Sequence, residues 1–132
     1  MALALADAGL SPSDIDYVNA HGTGTALNDV TETRAIKKIF GERAYKLPVS
    51  STKSMHAHLL GGAGAMEFVI ALLAMHHRAV PPTAHLEVAD PECDLDYVAG
   101  GGRRNQNIRC IMSNSFAFGG TNAVLIARKT GQ

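Results

Sequence analysis

Residues 53–77 read KSMHAHLLGGAGAMEFVIALLAMHH, and much of the fold can be worked out from them. A lysine and two histidines open the segment, which then becomes a long apolar helix with one acid, Glu67, inside it. An unpaired carboxylate among such neighbours would be protonated or strongly destabilising. Lys53 is the nearest cationic partner, and the pair is either structural or sets the electrostatics of an active site.

The helix is apolar nearly all round, which predicts that protein encloses it on most sides. Its apolar run, residues 59–75, is shorter than a typical membrane span and contains Glu67 and three glycines. The sequence therefore predicts a buried helix and no membrane partner. We expect it to lie at the centre of the fold.

The segments on either side of this helix alternate between strand and helix patterns, which predicts an α/β fold with helices packed on a mixed sheet of about five strands. Asp29 and Glu32 have the spacing of a capping box, which predicts that a peripheral amphipathic helix starts there. Gly41 is expected to end it. The segments with strand patterns are IDYVNA (15–20), LPVSST (47–52), LDYV (95–98), NIRCIMSNSF (107–116) and NAVLIARK (122–129), the last two as an antiparallel pair.

Two histidines are candidate functional residues, and His21 stands where α/β folds place their chemistry. His21 follows a strand and opens the loop HGTGT, and His58 lies near the start of the long helix. The helix dipole there favours a neutral imidazole, although a helix cap or a hydrogen-bonded core group would also account for His58. Thr23 and Thr25 bring hydroxyls next to His21, either to hold a polar, uncharged ligand arm or to stabilise the turn.

Phe116 and Phe118 flank one residue beside the Gly119–Gly120 pair. On a strand they would share one face, and core packing is the default interpretation. The alternative is a phenylalanine that gates a pocket beside a mobile glycine turn.

Composition and cysteine usage narrow the function. Twelve acids balance twelve bases, so neither nucleic acid nor a membrane surface is an expected partner. Cys93 and Cys110 are too far apart in sequence for a disulfide framework and fit a reducing cytoplasm. Neither has the surroundings of an activated nucleophile. The histidines lack neighbours at metal-ligand spacing, and no metal or cofactor is expected.

The sequence resembles the C-terminal half of a β-ketoacyl-[acyl carrier protein] synthase, closest to the type II elongating condensing enzymes. The resemblance runs from Leu3 to Lys129, with every motif in family order. The motifs are VNAHGTGT (18–25), SSTKSMHAHLLGGAGAMEF (50–68), VPPT (80–83), CDLDYV (93–98) and NSFAFGGTNAVLI (114–126). It implies a thiolase-like fold in which residues 1–132 form one C-terminal domain, while the nucleophilic cysteine belongs to an N-terminal half absent here.

The resemblance also implies roles for individual residues. His21 and His58 match the two family histidines, and Lys53 and Glu67 match the residues paired beside them. Thr23 and Thr25 match the threonines that hold the phosphopantetheine arm; Phe116 and Phe118 match the phenylalanines beside the acyl pocket. The implied chemistry is decarboxylative Claisen condensation of malonyl-[acyl carrier protein] with an acyl thioester in fatty acid synthesis. The implied partners are acyl carrier protein, the N-terminal half and a second copy in a homodimer.

The sequence departs from the family pattern at His56–Ala57, where Thr-Gly is usual, and at Ala117, where glycine is usual. Ala57 could crowd a tight backbone position, and Ala117 could stiffen the gating turn. Two other functions remain open: a non-catalytic interaction or chain-length-factor subunit, and a small metal-binding protein that uses the six histidines.

Overall fold

The computed structural model describes residues 1–131 and contains four helices and four strands. The helices are α1 (Ala2–Ala8), α2 (Ala26–Phe40), α3 (Lys53–His56) and α4 (Ala63–His77). The strands are β1 (Tyr17–Asn19), β2 (Val49–Ser50), β3 (Cys110–Phe116) and β4 (Asn122–Arg128).

The strands form one mixed sheet in the order β2-β1-β3-β4. β1 runs parallel to both β2 and β3, so Val18 lies opposite Val49 on one side and Met112 on the other. β3 and β4 form the predicted antiparallel pair. The α/β fold class is confirmed, with four strands in the part of the chain that the structure describes. Residues 95–98, predicted as a strand, are not one; they lie beside β2, with a single backbone hydrogen bond from Val49 N to Asp96 O (2.9 Å).

Alternate residues of the strands pack into two separate hydrophobic cores, one on each face of the sheet, because successive side chains of a strand point to opposite faces. On one face Val18 and Met112 pack with Ile36 and Phe40 of α2. On the other, Tyr17 and Ile111 join a cluster that includes Ala71, Ala74 and Met75 of α4. The sheet therefore has helices on both faces, and its central strands are buried.

The amphipathic helix α2 begins three residues before the predicted start. Thr25 is its N-cap, and Gly41 ends it as expected. The capping box at Asp29 and Glu32 was therefore a wrong prediction. Both residues lie inside the helix, and Glu32 is buried with its carboxylate against the loop after β1.

The helix α4 is enclosed on one side only, contrary to the prediction. Its inner residues, including Glu67 and Ala71, are buried against the sheet, whereas Met66, Val69 and Leu73 form an apolar stripe that is 41–50 % exposed. By length and composition Leu60–His77 could cross a membrane, and 28 % of it is buried. Among residues 1–131, no element covers the stripe.

Candidate active site

Three of the predicted site residues are gathered at one edge of the sheet. The parallel strands β1, β2 and β3 end at the same edge. His21 follows the end of β1, Lys53 follows β2, and Phe116 is the last residue of β3. The carboxyl edge of parallel strands is where α/β folds bind ligands, and here topology alone brings these side chains together.

The loop after His21 is held at close quarters. Gly22 has φ +42°, and a Cβ there would lie 2.4 Å from the Cβ of Ser51, so only glycine fits without displacing backbone. The Ser51 hydroxyl donates to the Gly22 carbonyl at 2.5 Å. The glycine of this motif thus permits close approach of the β1 and β2 ends.

Glu32 fixes the same loop from the other side. Its carboxylate accepts hydrogen bonds from the backbone N–H groups of His21 (3.0 Å) and Gly22 (2.9 Å), and from the side chain of Asn114 (3.0 Å). Burial raises the pKa of Glu32, while the hydrogen bonds from Gly22, Asn114 and His21 oppose that change. Sequence reasoning missed this role because Glu32 was assigned to the helix cap.

Lys53 and Glu67 form the expected ion pair. Both side chains are almost fully buried, and the lysine Nζ donates to the Glu67 carboxylate. The same Nζ donates to the backbone carbonyl of His21 at 2.6 Å and lies 3.4 Å from His21 Nδ1. The acid inside α4 is therefore compensated, and its partner reaches across to the histidine loop.

The contacts of His21 determine its tautomer and charge. The Lys53 ammonium can only donate, so Nδ1 of His21 is the acceptor and the proton of the neutral ring sits on Nε2. Burial, and after it the positive charge of Lys53, lower the pKa of His21 to about 4. His21 is therefore a neutral imidazole at pH 7, with one N–H to donate.

His58 has the same tautomer. The backbone N–H of Leu60 donates to His58 Nδ1 at 3.1 Å, which leaves the proton of the neutral ring on Nε2. A 3₁₀ turn, Leu60–Gly62, separates His58 from α4, so it lies near the start of the helix without capping it. The rings of His21 and His58 are edge to face, with centroids 5.7 Å apart. Two rings, each with one N–H to donate, thus lie next to each other.

A cavity of about 650 Å³ opens beside these residues. Thr23 and Thr25 line it together with His58, and the two threonine hydroxyls are hydrogen-bonded to each other at 2.9 Å. Cys93 and Tyr97 also line it. The wall is mostly apolar by area but carries many polar side chains, including the charged Asp29, Glu32, Lys53 and Asp90, which suits an extended ligand with polar groups along its length.

The two phenylalanines are separated. The Phe116 ring is 5.7 Å from the His21 ring, whereas Phe118 is fully exposed in the 3₁₀ turn Phe118–Gly120. They do not share a strand, so core packing was a wrong prediction for Phe118. Ala117 has φ −136°, extended backbone that alanine adopts without strain.

The remaining candidate groups stay outside the site or do not cluster. Cys110 is buried in β3, and burial raises the pKa of its thiol. His76 and His77 lie in the last turn of α4. Among residues 1–131, no three His, Cys, Asp or Glu side chains are close enough together to hold a metal ion.

Comparison with known proteins gives one family. The family model "Beta-ketoacyl synthase, C-terminal domain" matches residues 1–87. Nodulation protein E of Rhizobium meliloti is 54 % identical over 125 residues, which cover 95 % of this chain and 31 % of that protein. The 3-oxoacyl-[acyl-carrier-protein] synthase 2 of Coxiella burnetii is 56 % identical over 122 residues, 92 % of this chain and 29 % of that protein.

A solved structure agrees with these relatives. It is a type II polyketide synthase acyl-carrier protein in complex with its ketosynthase bound to the hexaketide. This chain is 39 % identical to it with a TM-score of 0.94, covering 98 % of this chain and 32 % of that one. The chain thus spans about a third of the length of the proteins that it matches.

Proposed function

Because this chain belongs to the β-ketoacyl synthase family, whose C-terminal domain it matches, we propose that it forms the C-terminal domain of a 3-oxoacyl-[acyl-carrier-protein] synthase. In that role it supplies two histidines to the decarboxylative Claisen condensation of malonyl-[acyl carrier protein] with an acyl thioester. The observation that carries the proposal is the matched tautomer of His21 and His58, which leaves both Nε2–H groups free to donate.

The chemistry follows from where charge develops. The malonyl carboxylate leaves as carbon dioxide, and the electron pair of the broken C–C bond moves into an enolate whose oxygen becomes negative. The enolate carbon then attacks the acyl thioester, and the cysteine thiolate departs. Two neutral N–H donors on the enolate oxygen stabilise the charge as it forms, and preorganised donors of this kind usually lower the activation barrier more than any other single effect.

In this proposal the Lys53–Glu67 pair keeps the His21 ring neutral and holds its loop in place. The lysine charge disfavours protonation of His21, and the glutamate holds the lysine in place at the His21 carbonyl. A protonated His21 would bind the malonyl carboxylate and resist its loss. We therefore assign this pair to the electrostatics of the site rather than to folding alone.

We assign the cavity beside Thr23 and Thr25 to the phosphopantetheine arm of acyl carrier protein. The arm is long, narrow and polar without charge along most of its length, which suits threonine hydroxyls at the cavity wall. Phe116 lies beside His21 and would border the acyl chain. The exposed Phe118, on its glycine-containing turn, would gate that pocket.

The nucleophile is proposed to come from an N-terminal half. Neither cysteine of this chain is assigned that role: burial in a strand raises the pKa of the Cys110 thiol, and Cys93 stands between two acids in sequence, Glu92 and Asp94, rather than beside a base. The apolar stripe Met66, Val69 and Leu73 on α4 is the surface that such a half would cover. We expect the assembled enzyme to be a cytoplasmic homodimer.

Reconstitution tests this function. This chain, combined with a recombinant N-terminal half that carries the cysteine, should condense malonyl- and acyl-[acyl carrier protein]. Replacing His21 or His58 by alanine should lower carbon dioxide release about 100-fold or more, the usual cost of one oxyanion donor, while the cysteine is still acylated. A properly acylated assembly that releases no carbon dioxide would instead favour a non-catalytic subunit.

A second measurement concerns this chain alone. After incubation with acyl-[acyl carrier protein], mass spectrometry should find it unmodified. An acyl adduct on Cys93 or Cys110 would contradict the assignment of the nucleophile to another half.

A further inference from the structure

The backbone just before His58 adopts a conformation that suits glycine. Ala57 has φ +61° and ψ −174°, a region that non-glycine residues occupy only at an energetic cost. The next residue is His58, so the torsion angles of Ala57 set the direction in which that imidazole leaves the chain. Some neighbouring group must hold this conformation.

The ring of His56 contacts the strained residue directly. Its Nδ1 lies 2.8 Å from the Ala57 carbonyl oxygen, and its Nε2 lies 3.2 Å from the hydroxyl of Thr52. A carbonyl oxygen can only accept, so Nδ1 of His56 carries a proton and donates. In the neutral ring, Nε2 then accepts from the Thr52 hydroxyl.

The far end of this contact is anchored in the core. Thr52 and Asn19 are both fully buried, and the Asn19 side-chain amide donates to the Thr52 hydroxyl at 3.2 Å. The same amide donates to the backbone carbonyl of Glu67 at 3.2 Å. Hydrogen bonds therefore connect the Glu67 carbonyl in α4, through Asn19 and Thr52, to the His56 ring and the Ala57 peptide.

We propose that His56 is a positioning residue, which locks the Ala57 peptide in its positive-φ conformation and so fixes the orientation of His58. The ring compensates for an alanine at a position where the backbone favours glycine. Its consequence for turnover rests on the proposed function, whereas its effect on the backbone does not.

Side chains that mimic one ring nitrogen at a time test the proposal in this chain assembled with the nucleophile-bearing half. The amide nitrogen of asparagine lies where Nδ1 lies, and that of glutamine lies where Nε2 lies. His56→Asn should retain the bond to the Ala57 carbonyl and most of kcat. His56→Gln and His56→Ala should lower kcat about tenfold, the cost of one lost hydrogen bond to a positioned group, with KM for the malonyl thioester unchanged.

A second substitution separates positioning from general damage. Glycine adopts the conformation of residue 57 without strain. In the Ala57→Gly background, His56→Ala should lower kcat less than about threefold, because the lock is no longer required. An equal loss in both backgrounds, or an Asn variant as impaired as the Gln variant, would overturn the proposal.

Amide hydrogen exchange gives a readout that needs no turnover. The Leu60 N–H donates to His58 Nδ1, so we expect it to exchange faster in His56→Ala and at the wild-type rate in His56→Asn. Unchanged exchange in His56→Ala would contradict the role of His56. A wild-type assembly without activity would contradict the proposed function alone and would leave this comparison intact.

Discussion

Two loops leave the same edge of the sheet and are held very differently. The loop after β1, which carries His21, is fixed at its N–H groups by Glu32 and at its carbonyls by Lys53 and Ser51. The turn after β3, which carries Phe118, is closed by one backbone hydrogen bond, from Ala117 N to Thr121 O at 3.0 Å. Phe118 at its tip is fully exposed.

The difference separates a loop whose conformation this chain fixes by its own buried contacts from a turn that extends into solvent. Buried charges and a close backbone approach hold the His21 loop in place, as the proposed hydrogen-bond donor requires. The Phe118 turn has few buried contacts, so we expect it to be the more mobile of the two. The proposed donor site and the proposed gate need these opposite properties. Four substitutions test the contrast, beginning with the most buried group.

Lys53→Met should cost about 4 kcal/mol of unfolding free energy, because it leaves the buried Glu67 carboxylate without its partner. Urea denaturation at pH 7 measures the loss. Lys37→Met is the matched control: its pair with Asp94 is partly exposed to solvent, so the loss should be much smaller than in Lys53→Met. Equal losses in the two variants would mean that Glu67 is not held by Lys53.

Gly22→Ala should cost about 3 kcal/mol, since the new Cβ meets Ser51 and the backbone has a positive φ. Gly24→Ala provides the comparison, because φ there is also positive (+72°) but no heavy atom lies within 4 Å of the added Cβ. The Gly24 variant should lose about 1 kcal/mol, the strain alone. If both variants lose the same amount, close packing against Ser51 is not what fixes the loop.

His21 should make the unfolding free energy depend on pH. Its pKa is lowered from 6.5 to about 4 in the folded chain, so the unfolded chain binds more protons between those values. The contribution of neutral His21 to the unfolding free energy is fully present above pH 6.5 and is lost as the pH falls toward 4. At pH 5 the wild type should have lost about 2 kcal/mol more than His21→Gln, relative to pH 7.5. Parallel curves for the two proteins would contradict a neutral, buried His21.

Phe118→Ala should change the unfolding free energy by less than about 0.5 kcal/mol, because an exposed side chain loses no packing. Phe116→Ala, at the half-buried position beside His21, should cost about 2 kcal/mol. Thermal or urea unfolding of the pair measures both. A large loss in the Phe118 variant would show that the turn is packed in solution.

Much of the site could be predicted from local sequence. The apolar neighbours of Glu67 indicate that its buried carboxylate needs a cationic partner. Lys53 was correctly predicted as that partner. The loop at His21 follows from a buried strand that runs into glycines. Such inferences succeed because the physical reason lies within a few residues of the group itself.

The errors arose where a residue's partner lies far along the chain or outside it. Glu32 looked like part of a helix cap, but its carboxylate reaches the loop ten and eleven residues earlier and Asn114 across the sheet. The helix α4 looked enclosed, yet the residues that the structure describes cover only its inner side. Phe118 looked like a core residue because its neighbour Phe116 is on a strand, and the strand ends between them.

Sequence alone determined the fold class, the family and the set of ionisable groups, because hydrophobic period, glycine placement and the cost of a buried charge act locally. Only the tertiary structure decided which ring nitrogens of His21 and His58 carry protons, because a tautomer is set by the hydrogen-bond partner that folding delivers. Folding likewise placed the ring of His56 against the Ala57 peptide, where the backbone conformation favours glycine but the residue is alanine.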